Sequence, residues 1–145
     1  MNKNNINFQV HRTKEGTIFE IVSALLVLMS LALSVILFFK VREAGSAMLI
    51  HTGIISFCVL LMLVLAYQPS TFNIPDNSPA SLFIATVRFL RITAVLLGLM
   101  ALGVTVSAYL SFSPQLVFGV FGFLFVPALC WYLAVYMKAK RKKQS

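Results

Sequence analysis

Four apolar stretches, each long enough to cross a bilayer, occupy most of this chain, and almost all the charge lies between and beyond them. They cover residues 18–39, 48–67, 92–112 and 116–137. A helix rises about 1.5 Å per residue, so roughly 20 residues span the ~30 Å hydrocarbon layer. A helix that faces water on one side carries polar residues at every turn, and these stretches do not. The expected class is all-α: an integral membrane protein, a four-transmembrane-helix bundle.

Composition bears on function mainly through where the charge sits. Charged residues make up 11% of the 145, against about 25% in soluble domains. The length leaves room for one bundle and no separate soluble domain. The net charge of +8 would suit nucleic acid, but its position suits a membrane surface. Lys138, Lys140, Arg141, Lys142 and Lys143 directly follow the last stretch, where anionic headgroups attract each by roughly 1 kcal/mol. The expected division is an N-terminal segment (1–16), a membrane domain (17–137) and a basic tail (138–145). Cys58 and Cys130 fall inside apolar runs with no metal-ligand spacing, so neither a metal nor a cofactor is expected.

Lysine and arginine counts beside the stretches set the expected orientation. Lys3, Arg12, Lys14, Arg88, Arg91 and the five tail residues share one side, and Lys40 and Arg42 take the other. Ten against two places both termini in the cytoplasm. Helix starts are expected at Ser78-Pro79 and Ser113-Pro114, a cap serine before a first-turn proline. Thr17-Ile18-Phe19-Glu20 reads as a capping box. Residues 68–79, with three prolines, read as an irregular cytoplasmic loop, and residues 40–47 as the outer one. The third helix should run from about 79 to 112, with 79–91 as an interfacial extension below the hydrocarbon.

The most informative pattern inside the spans is a pair of stripes. Ala94, Gly98, Ala101, Thr105 and Ala108 recur at spacings of four and three, and every one is small. Lipid supplies little hydrophobic drive between helices, so close backbone approach across small residues is a main source of association. The first stretch carries Glu20, Ser23, Val27, Ser30 and Ser34 at matching spacing. Both helices run the same way, so in contact they set Ser34 level with Thr105 and Glu20 level with Arg91. A Glu20–Arg91 (or Glu20–Arg88) ion pair is expected at the cytoplasmic mouth. Two other readings stand beside it: Glu20 as a helix cap, and the arginines snorkelling to headgroups. Pro127 should free the carbonyl of Phe123 and bend the fourth helix.

Catalysis would need a nucleophile with a base, paired carboxylates or a metal set. His11 and His51 are expected on opposite sides, and the four acids are scattered. The expected class is therefore not an enzyme. A Ser/Thr-lined path is the alternative, which would make the chain a small oligomeric transporter or channel.

Pro69-Ser70-Thr71-Phe72-Asn73-Ile74-Pro75, then Asn77, then Thr86-Val87-Arg88-Phe89-Leu90-Arg91 entering a span, is similar to a known pattern. So is Arg12-Thr13-Lys14 running into Phe19-Glu20-Ile21. In these segments the chain resembles small bacterial membrane proteins with the uncharacterised domain found at the N-terminus of SdpI-type immunity proteins. That resemblance implies a multi-pass protein of the bacterial inner membrane, with relatives implicated in protection against a membrane-acting toxin and in signalling. It assigns no site residue, and residues 40–47 lack the family's proline- and histidine-bearing outer loop. The resulting expectation is a membrane-embedded partner or regulator. It would bind lipid, anionic headgroups and a second copy or another membrane protein, and no nucleic acid.

Overall fold

The computed structural model describes residues 13–68 and 80–144. They form four helices: α1 (Lys14–Lys40), α2 (Arg42–Tyr67), α3 (Ala80–Tyr109) and α4 (Pro114–Gln144). All four are long and apolar enough to cross a membrane. The Ser78-Pro79 helix start, His11 and most of the loop at 68–79 lie outside the described residues.

The helix ends differ from the sequence expectation in physically simple ways. The cap of α1 is Thr13, whose hydroxyl accepts from the Gly16 N–H at 3.1 Å. Thr17 is therefore helical, and its hydroxyl donates back to the Thr13 carbonyl. The capping box at Thr17 does not form because an equally good cap lies four residues earlier. The expected outer loop at 40–47 shrinks to one extended residue, Val41, and α2 begins at Arg42. The reason is Gly45: a Cβ there would stand 2.1 Å from the Phe38 Cα, so only glycine lets α2 start against the end of α1. Helix α3 stops at Tyr109 rather than 112. Ser111 takes a left-handed φ of 59°, and the Phe112 N–H turns back to the Ser107 carbonyl at 2.8 Å. Finally, α4 continues through Pro127 to Gln144, so the described part of the basic tail is helical.

α1, α2 and α3 pack mutually, whereas α4 packs against α3. Half of the α3 span is buried inside the protein and none of the α4 span. The bundle is a three-helix core with a fourth helix on its flank. Ile55 and Val59 of α2 pack against Ala94 and Ala101 of α3, with Val27 of α1 beside them. A second cluster joins Ala66 to Val87 and Leu90. Of the small stripe on α3, Ala94, Gly98, Ala101 and Thr105 are buried and Ala108 is half-buried. Gly98 has the Leu26 side chain 3.1 Å from where its Cβ would be. That is the backbone approach small residues permit.

α4 is held by rings. Phe89 stacks on Tyr132 with centroids 4.6 Å apart, and the Tyr132 hydroxyl lies 3.3 Å from that of Thr86. Towards the other end Gly103 receives Val117, whose Cγ1 would be 2.8 Å from a Cβ. Gly103→Val should therefore push the two helices apart and lower stability by about 1–3 kcal/mol. Denaturation in mixed micelles checks this.

Candidate functional site

Two polar layers cross the three-helix core, and one register places both. Ser34 meets Thr105 and Glu20 meets Arg91, each pair 71 positions apart, as two parallel helices without slippage require. α2 runs the other way, so Thr52 lies opposite Ser34 and Tyr67 opposite Glu20. The step of 14 positions from Glu20 to Ser34 separates the layers by about 21 Å.

The layer near the α1–α2 turn is a knot of three buried hydroxyls. Ser34 Oγ lies 2.9 Å from Thr52 Oγ1 and 3.5 Å from Thr105 Oγ1, and the two threonines are 3.4 Å apart. Ser34 donates to the Ser30 carbonyl and Thr105 to the Ala101 carbonyl. Those two protons are thus spent within their own helices, and Thr52 donates to Ser34. Each hydroxyl carries one proton and has a use for it. Thr52→Val keeps the shape and removes the donor that joins α2 to this layer. It should cost about 1 kcal/mol, since such bonds in membranes average ~0.6 and reach ~1.7; reversible unfolding of the variant checks it.

The layer at the other end is ionic and less complete. Arg91 is 5% exposed, with Nη2 3.8 Å from Glu20 Oε1. The Tyr67 hydroxyl donates to that same oxygen. The guanidinium sits 5.7 Å from the centre of the Tyr67 ring and presses on Gly16, where a Cβ would be 2.4 Å from its Cζ. Among the described residues Arg91 Nε and Nη2 have no hydrogen-bond partner, nor does the buried Ser23 hydroxyl one turn along α1. Such groups cost free energy inside a low-dielectric core.

Of the arginines considered for Glu20, Arg91 is the one beside it. Arg88 instead pairs with Glu15 at 3.2 Å, both side chains about half exposed. Ser30 bonds the Leu26 carbonyl. Lys138, Lys140 and Arg141 lie on the last turns of α4, Lys138, Lys140 and Arg141 near or at the surface; Lys142 and Lys143 continue the same helix. At the opposite end Lys40 donates to the Tyr109 hydroxyl at 2.8 Å.

Three members of these layers were not singled out by spacing: Thr52, Tyr67 and Gly16. The alignment of Thr52 and Tyr67 follows from the one-residue turn at Val41, which fixes the α1–α2 register. The nearest sequence signal was Gly16 itself, a glycine four residues before Glu20 in a helical run. No protein-family model, no curated protein and no solved structure matches this chain.

Proposed function

We propose that this chain is a non-enzymatic, multi-pass protein of the bacterial inner membrane with both termini in the cytoplasm. It acts as a membrane-embedded partner or regulator, immunity-like in kind, through contacts between helices. The observation that carries this reading is the one-sided packing of α4. Among the described residues nothing lies within 4 Å of where a Cβ on Gly119 or Gly122 would stand, and none of the α4 span is buried. Two glycines one turn apart on an unoccupied face allow another helix to approach the backbone closely. The hydroxyls of Ser34, Thr52 and Thr105, by contrast, bond to one another, and those of Ser34 and Thr105 also to their own helices.

Replacing both glycines with leucine, and separately placing a cysteine at Gly122, tests the reading in native membranes. Crosslinks from Gly122→Cys to a second copy or to another membrane protein are expected, and the leucine pair should remove that association. Solute flux through the purified protein in liposomes, with no crosslinked species, would replace this reading with a transporter. Labelling of introduced cysteines from each side checks the orientation.

A further inference from the structure

We infer that Arg88 and Arg91 form a phosphate-binding site that the first turns of α1 hold closed. The two arginines stand one turn apart on α3, so their Cβ atoms are about 5–6 Å apart. Each faces a carboxylate from α1: Glu15 reaches Arg88 at 3.2 Å, and Glu20 stops 3.8 Å from Arg91. Glu20 is drawn towards the Tyr67 hydroxyl, and two donors of Arg91 find no hydrogen bond among the described residues although Arg91 is 5% exposed. A guanidinium offers a planar fork suited to two oxygens of one phosphate. Here α1 offers carboxylates in place of phosphate oxygens and satisfies the fork only in part.

The cover is thin and weakly tied. Gly16 lies flat on the guanidinium, so the turn that holds it shields Arg91 directly. That turn is joined to α3 by the Glu15–Arg88 pair, which is exposed on both sides and therefore weak and sensitive to salt. Lifting the turn withdraws Glu15 and Gly16 together. Arg88 then loses its partner as Arg91 loses its cover, and both present donors to the same anion. The ligand chemistry is a phosphate group, carried by an anionic lipid or free in solution. This inference rests on the membrane reading above and is independent of which helix partner α4 takes.

The test uses the full chain in lipid nanodiscs, with the five basic tail residues changed to glutamine so that they do not contribute. Retention of phosphatidylglycerol over phosphatidylcholine is read by native mass spectrometry. Glu15→Gln should raise that retention, and Arg88→Gln with Arg91→Gln should lower it by about 30-fold, the worth of two arginines at an anionic headgroup. Spin labels at Lys14→Cys and Ile84→Cys, both exposed sites, should move apart in phosphatidylglycerol and not in phosphatidylcholine. Binding of pyrophosphate in phosphatidylcholine discs without lipid preference assigns the site to free phosphate. Equal retention in all variants, no pyrophosphate binding and an unchanged label distance overturn the site. Retention that follows the arginines but ignores Glu15→Gln overturns the closing role of α1. A chain that stays dissolved without detergent fails the membrane reading instead, and is distinguishable from all of these.

Discussion

Glu20→Leu should destabilise the protein by about 3 kcal/mol, and adding Arg91→Met should return most of that loss. The single change leaves a guanidinium with 6% side-chain exposure and, among the described residues, no carboxylate beside it, and an uncompensated buried charge costs roughly 3–5 kcal/mol. The lower end applies because the Glu20 side chain keeps 18% exposure and water reaches that side of the pair. The double change removes both charges and fills the space with apolar side chains, which is often neutral or stabilising. Glu20→Gln should fall between, since its amide oxygen still accepts from Tyr67. The same treatment of Glu15 and Arg88 should cost no more than about 1 kcal/mol, because that pair is exposed. Unfolding free energies in mixed micelles, arranged as a double-mutant cycle, give the coupling directly. Strictly additive losses for Glu20 and Arg91 would remove the ion pair from the account.

Gly45→Ala should be as damaging, about 3 kcal/mol or more, although it adds one methyl group. The new Cβ would stand 2.1 Å from the Phe38 Cα and 2.4 Å from its nitrogen, so the obstacle is backbone with no rotamer to give way. Relief requires the start of α2 to move off α1, which disturbs the one-residue turn and the Ser34–Thr52 bond beyond it. Gly53→Ala provides the contrast on the same helix. Nothing lies within 4 Å of its Cβ position, so the change should stabilise by up to about 1 kcal/mol through helix propensity. Thermal aggregation of the two variants in one detergent ranks them. Equal midpoints would mean that α2 does not begin where the structure puts it.

Several features of this protein were legible in its residues alone. Continuous apolar runs of about 20 residues supplied four helices, because a helix satisfies its backbone groups within one segment. The spacing of small residues picked out the buried face of α3, and the matched spacing in α1 set Ser34 beside Thr105 and Glu20 beside Arg91. These are local properties: helical periodicity projects a sequence interval onto a face regardless of what else the chain does.

Other features depended on which helices meet and at what rotation. The apolar runs have no strongly polar side, so they carry little information about aim, and between such helices the choice falls to close packing and a few polar pairs. Glycine at position 45 shortened the turn and thereby brought Thr52 and Tyr67 into line with α1. Gly16 became a seat for a guanidinium from 75 positions away. The position of α4 on the flank of α3 likewise came from ring stacking at Phe89 and Tyr132. Periodicity determined the faces of this protein; three-dimensional contact alone decided their partners, because a contact energy belongs to two surfaces and a sequence interval describes only one.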